Sequence, residues 1–376
     1  MNTSTSDREG MVTVPLNKVE VELNRQMKAA MGTSKGPLQR ARMSNLIVFC
    51  EGDEQAAYVN ERVHVLTELH PARIILLIAE PCQSDSDLVA EVRVSALGSD
   101  RRTYSEQVTL RACGHEVDRL PFAVREVLVG DLPTNLWWAS HQQPPLAGSL
   151  IFDLSERVEQ VVYDSLGWTD PTRGVAATAN WIAKFENIST SGPARVRVAS
   201  DLNWRRLKSW RRLLSQALDP STAPGALQTI TELSVEHGPH GVTQAWQLVS
   251  WLAARLGWRV QASKVQPNVE IDWNFMSSSN VVRVAIRRLA EGPPAITRVR
   301  LTCVIDGRGT CLDLRPDRPN RLSVVPEGMG AAPRTISVPE QVPGELIGRQ
   351  LSDRERDPVF RQSMELAQTL AQSLLH

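Results

Sequence analysis

The sequence predicts an α/β N-terminal domain, Rossmann-like but without a phosphate loop, followed by an α+β C-terminal domain. Three observations predict it. Residues 46–50 and 72–79 are short, nearly all-apolar runs, as strands buried on both faces should be. Between them Ala56, Val59, Val63, Leu66 and Leu69 recur at helical spacing, which makes a β-α-β crossover and implies a parallel pair. Beyond Gly257 the pattern turns to strands, at 258–262, 281–289, 296–305, 310–314 and 321–325, with Asp306-Gly307-Arg308-Gly309 as a hairpin turn.

The elements follow in order. Residues 1–10 read as a flexible tail. Residues 16–31 place Val19, Leu23, Met27 and Ala30 on one helical face, so 1–42 is a tail and helical arm. Asp53 can cap the first domain helix. Residues 88–97 and 104–112 alternate as an antiparallel excursion around a loop at 98–102, and 121–128 is a short helix with proline in its first turn. Asp131-Leu132-Pro133-Thr134 turns into a strand at 135–140. Helices are expected at 152–159 and 172–188, and strands at 161–164 and 195–199. These give an α/β domain over 43–200. Residues 201–218 form one helix, capped by Asp201 or Asn203, with Trp204, Leu207, Trp210, Leu214 and Leu218 on one face and Arg205, Lys208 and Arg212 on the other. A strand at 227–236, a helix at 242–256, the later strands, a linker at 333–344 and helices at 345–351 and 358–374 complete an α+β domain over 201–376.

Composition limits the functions available. The 376 residues are 42% hydrophobic and 22% charged, which is globular. Lys+Arg and Asp+Glu number 42 each, so bulk attraction to nucleic acid or an anionic membrane is not expected. The N-terminus lacks a signal-peptide pattern, and the most apolar short run, 74–79, is far below the ~20 residues that span a bilayer. The expected location is the cytoplasm. Of five cysteines, Cys50, Cys82, Cys113, Cys303 and Cys311, none forms a CxxC pair, so most should be reduced and buried.

No catalytic constellation emerges, and no cofactor or metal is expected. After the first strand the chain reads Glu51-Gly52-Asp53-Glu54, where a phosphate would meet carboxylates instead of a cradle of N–H groups. The seven histidines are scattered without metal-ligand spacing, and no GxSxG surrounds a serine. Trp137 and Trp138 are adjacent on a strand and point to opposite faces. One can be core; the other must be covered by a loop, a second domain or a partner. The 201–218 helix is open to two readings, a half-buried helix with a solvated basic face or a partner surface rich in Trp and Arg, types enriched at interface hot spots.

Three blocks carry a family resemblance: Met43-Ser44-Asn45-Leu46-Ile47-Val48-Phe49-Cys50, then Asp131-Leu132-Pro133-Thr134-Asn135-Leu136-Trp137-Trp138, then Asp201-Leu202-Asn203-Trp204-Arg205-Arg206-Leu207 with Trp210-Arg211. In this order they resemble the signature blocks of the OpcA family. The resemblance implies a non-catalytic partner of glucose-6-phosphate dehydrogenase in the oxidative pentose phosphate pathway, one that promotes assembly of the dehydrogenase and raises its activity. In cyanobacteria it ties that effect to the redox state of thioredoxin. The rival reading is an α/β enzyme that binds a nucleotide or sugar phosphate at an unrecognised site. Partner-binding candidates are Trp137, Trp138, Trp204, Arg205, Lys208 and Arg212. Cys303 and Cys311 are redox candidates, flanking the predicted hairpin turn. In a regular register they fall on opposite faces and meet only if a bulge re-aims one of them.

Overall fold

A computed structural model describes residues 10–33, 39–40, 42–80, 87–97, 103–188, 196–327 and 333–375. The chain forms two compact units, Met1–Asp164 with Ala183–Leu202 and Val342–Arg356, and Ser165–Ile182 with Asn203–Gln341 and Asp357–His376. A single boundary near residue 200 therefore does not divide the chain; each unit takes segments from both sides of it.

The strands of the first unit are β1 (Val12–Val14), β2 (Gln39–Arg40), β3 (Asn45–Glu51), β4 (Arg73–Glu80), β5 (Val89–Leu97), β6 (Thr103–Cys113), β7 (Thr134–Trp138), β8 (Gln160–Tyr163) and β9 (Val198–Asp201). They form one sheet in the order β1-β5-β6-β4-β3-β7-β8-β9, with β2 on β6. The run β6-β4-β3-β7-β8-β9 is wholly parallel. This is the 3-2-1-4-5-6 order of a doubly wound fold. Apolar runs rather than alternation encode it: Leu46 to Cys50 and Ile74 to Ile78 are all buried. β5 is the expected antiparallel excursion; its 98–102 loop lies outside the described residues.

The helices, in chain order, are α1 (Val19–Thr33), α2 (Gly52–Leu69), α3 (Leu120–Val127), α4 (Leu150–Leu154), α5 (Pro171–Glu186), α6 (Leu202–Arg206), α7 (Lys208–Ala217), α8 (Val242–Leu256), α9 (Pro343–Ser352) and α10 (Pro358–Leu375). The arm is part of the first unit. β1 pairs with β5, and α1 buries Val19, Leu23 and Met27. Glu20 of α1 reaches Arg73 of β4, whose buried guanidinium also binds the buried Glu106 of β6 at 2.8 Å. Arg42 closes the group on Glu106 at 2.7 Å. From the far end of the chain, α9 packs on α2, adding Leu346, Ile347 and Leu351 to the core of Val59, Val63 and Leu66. A Cβ at Gly344 would stand 3.3 Å from the Arg62 carbonyl, so glycine permits the close approach. Asp53 does not cap α2: Glu51 is the N-cap residue, and Asp53 lies inside the first turn.

The second unit has the strands β10 (Glu232–His237), β11 (Arg259–Gln266), β12 (Glu270–Met276), β13 (Val281–Arg288), β14 (Ile296–Ile305), β15 (Arg308–Arg318), β16 (Arg321–Glu327) and β17 (Arg334–Ser337). Their order is β11-β12-β13-β10-β14-β15-β16-β17. Every pairing is antiparallel except β10 with β13. One face alternates apolar and buried: Val282, Val284 and Ile286, then Leu233 and Val235, then Val299, Leu301 and Cys303. α8 packs on β10 and β13, and α10 packs on α8 and β11. Trp246 of α8 meets Trp273 of β12 edge-on at 5.3 Å. Gly257 stops α8 in the left-handed conformation (φ 66°). Residues 227–231 are not strand, since β10 begins at Glu232.

Candidate functional site

The end of β3 is where a doubly wound fold would receive a phosphate. Here Gly52 turns the chain at φ 70°. Glu51 accepts a hydrogen bond from the Ser140 hydroxyl at 2.5 Å. Asp53 accepts one from Arg111 at 2.9 Å, and Glu80 accepts a second from the same guanidinium at 2.6 Å. Acidic side chains thus occupy the first turn of α2, where the helix dipole favours negative charge. Burial raises the Cys50 thiol to about 12, so it is no nucleophile at neutral pH.

Trp137 and Trp138 both lie in the core of the first unit, 3% and 1% exposed. Trp137 joins Leu46, Val48 and Val162. Trp138 stacks on Phe49 at 4.4 Å and donates from Nε1 to the Gln142 carbonyl at 2.7 Å. Neither needs a partner to cover it, because the sheet is buried on both faces. Of the three covers expected for the second ring, a loop, a second domain or a partner, Trp138 meets the loop at Gln142, and burial takes Trp137 and Trp138 out of the partner-binding candidates.

The segment 201–218 is two helices. α6 ends at Arg206, Leu207 bridges, and α7 begins at Lys208. Asp201 closes β9. Asn203 sends its amide to the Ser165 hydroxyl at 3.0 Å. Trp204 is buried: its Nε1 donates to Asp357 at 2.7 Å, Arg211 lies 3.5 Å over its ring, and Phe360 sits at 5.3 Å. Burial lowers Arg211 to about 10. Trp204 therefore leaves the set of partner-facing residues. Lys208 and Arg212 are exposed and Arg205 is half-buried, so these three cations remain on the surface.

Cys303 and Cys311 are free thiols. Asp306 and Gly307 both have positive φ, 49° and 75°. They make a two-residue turn that pairs Ile305 with Arg308, Cys303 with Thr310 and Thr302 with Cys311. The predicted four-residue turn is thus two residues too long. No bulge interrupts the register, so the two cysteines fall on opposite faces and do not meet. Burial and the neighbouring Cys311 push the Cys303 thiol up to about 11. Cys113, by contrast, is disulfide-bonded; Cys82 lies outside the described residues.

One surface was not singled out from sequence. On the face of the eight-stranded sheet opposite its apolar side, cross-strand ion pairs follow one another: Arg287–Glu270 at 3.2 Å, Arg298–Asp313 at 2.7 Å and Arg300–Glu327 at 3.2 Å. The side chains of Arg287 and Arg300 are 51% and 44% exposed. The register sets Arg287 directly opposite Glu270 and Asp313 opposite Arg300, so that Arg298 reaches Asp313 diagonally. The signal was present in the alternation of Arg298 and Arg300 with apolar neighbours, but partner strands cannot be read from one strand.

Two family models match consecutive stretches of the chain. A family model described as the glucose-6-phosphate dehydrogenase subunit N-terminal domain matches residues 63–180, and the corresponding C-terminal domain matches residues 197–364. An OxPP cycle protein OpcA from Synechocystis is 26% identical over 53% of this chain and 40% of its own length. Its counterpart from Synechococcus elongatus is 24% identical over 80% of this chain and 68% of its own. The matched region thus spans less than half of the first relative. Among solved structures, an oxidoreductase from Sinorhizobium meliloti superposes with TM-score 0.50 at 11% identity, covering 88% of this chain and 96% of that one. This is a likeness of fold alone.

Proposed function

Because the chain belongs to the OpcA family, whose domains are described as those of a glucose-6-phosphate dehydrogenase subunit, we propose that it is a non-catalytic partner of that dehydrogenase. It binds the enzyme in the cytoplasm, promotes its oligomeric assembly and raises its activity in the oxidative pentose phosphate pathway. The observation that carries this reading is the match of both family domains in order along the chain. The end of β3 supports it against the rival enzyme reading, since Glu51 and Asp53 stand where a nucleotide phosphate would need donors. The contact surface includes Arg205, Lys208 and Arg212, the exposed and half-exposed cations beside Trp204. Regulation through thioredoxin would have to act elsewhere than on Cys303 and Cys311, which are unpaired.

The test is size-exclusion chromatography with the dehydrogenase from the same organism, assayed for activity across the fractions. Co-elution with a higher specific activity is the expected result. Separate peaks with unchanged activity would remove the partner reading.

A further inference from the structure

The second unit contains a cavity of about 540 Å³ that the partner reading does not use. This is within the range of small-molecule sites, roughly 300–1,000 Å³. It opens where β10 and β13 end, beside the first residue of α8, and all of its lining comes from this unit.

The lining is chemically differentiated. Arg288 closes β13 and is exposed, with no ion pair among the described residues. Glu270 also lines the cavity, but it is answered by Arg287 at 3.2 Å, so it does not cancel Arg288. Val242 begins the 15-residue helix α8, whose first turn carries no acidic side chain; its orphan N–H groups and dipole favour an anion on that side. His237 is 2% exposed. Its Nδ1 lies 2.7 Å from the Gly238 carbonyl, and a carbonyl can only accept, so Nδ1 carries the proton and Nε2 is left as an acceptor. Trp168, Ile271 and Ile286 supply apolar walls.

The loop that presents this corner is fixed by close packing. A Cβ on Gly238 would come within 2.0 Å of the Pro293 carbonyl oxygen. His240 is held at φ 67°, a conformation uncommon outside glycine.

We propose that this cavity binds a small phosphorylated polyol, such as a sugar phosphate. A free guanidinium and a helix N-terminus suit a phosphate. An acceptor nitrogen requires a donor, which a hydroxyl supplies. An indole and two isoleucines suit the C–H faces of a sugar ring. A bare anion would satisfy only the first of these features, and an unphosphorylated sugar only the other two.

Titration calorimetry on the isolated full chain tests the assignment independently of any dehydrogenase. The probes are a hexose 6-phosphate, the unphosphorylated hexose and inorganic phosphate. The hexose phosphate should bind at least about tenfold more tightly than either fragment. Arg288→Ala should weaken it at least about tenfold with an unchanged melting temperature, while Arg212→Ala should leave it unaltered. Trp168→Phe, which keeps an apolar wall, should weaken the sugar contribution and spare inorganic phosphate. No binding of the hexose phosphate, equal binding of inorganic phosphate, or full affinity in Arg288→Ala each overturns the proposal.

Discussion

The two sheets solve opposite problems. The nine-stranded sheet of the first unit is dry on both faces along β7, β8 and β9, where every residue is buried. The eight-stranded sheet of the second unit is dry on one face and carries half-exposed arginine–carboxylate pairs on the other. In the first, large aromatic side chains are spent on packing. In the second, the same chain keeps charge at the surface, where a macromolecule can reach it. Buried Trp residues mark packing in both units, Trp137 and Trp138 in the first and Trp246 and Trp273 in the second; what sets the second sheet apart is the row of arginines on its open face.

The largest effects should come from breaking the dry sheet. Trp138→Ala removes a fully buried indole stacked on Phe49 and should cost about 3–5 kcal/mol in denaturant unfolding. Trp138→Phe should recover most of that loss. A variant with near wild-type stability but weakened dehydrogenase binding would return this ring to the interface. Glu106→Gln leaves the buried Arg73 without its main counter-charge and should also cost about 3–5 kcal/mol, read in the same measurement.

Acid should separate the two units. Burial raises Glu20, but the hydrogen bond and charge of Arg73, with Arg42 and Arg40, outweigh it and hold the carboxyl below its usual 4.5. Its stabilisation is present above that value and is lost as pH falls through the lower folded value. Burial lowers His237 below its usual 6.5, aided by the charge of Arg288 and opposed by its bond to Gly238. The unfolded chain therefore takes up this proton first, and the contribution of His237 is full above pH 6.5 and lost as pH falls below it. Hydrogen exchange should show β10 and β13 loosening at a higher pH than β3 and β4. Simultaneous loosening at both sheets would refute this order.

The smallest stability change is expected on the wet face. Arg300→Ala breaks an exposed pair with Glu327 and should cost no more than about 1 kcal/mol. Charge reversal at Lys208 and Arg212 should leave the melting temperature within experimental error. If these sites meet the dehydrogenase, the same reversals should raise Kd several-fold in titration. Unchanged affinity would take them out of the contact surface.

The same contrast explains what could be read from sequence. The parallel core was legible because Leu46 to Cys50 and Ile74 to Ile78 are apolar throughout, a local signal. β14 was legible from the alternation of Arg298, Arg300 and Thr302 with Val299, Leu301 and Cys303. β12 was missed although Ile271, Trp273 and Phe275 alternate, because Asp272 and Asn274 between them are poor strand formers. β17 sits next to prolines and is held by pairing with β16. The break at Leu207 has no glycine or proline to announce it. Of the candidate site, the exposure of Lys208 and Arg212 followed from helical spacing. The burial of Trp137, Trp138 and Trp204 depended on what packs above them, such as Asp357 from 153 residues away, and the ion-pair rows depended on strand register.

The path of the chain sets a condition on its synthesis. The first unit begins with β1 near the N-terminus but needs Val342–Arg356 to cover α2, and the second ends on Asp357–His376. At the ribosome, therefore, an emerging polypeptide that already holds every strand of the first sheet still exposes the apolar groove that α9 will fill. Neither unit can close until the segments from Val342 onward have been translated. A nonsense mutation shortly before Val342 would not release one finished unit and one damaged one; it would leave both open and make the product a substrate for chaperones and proteases.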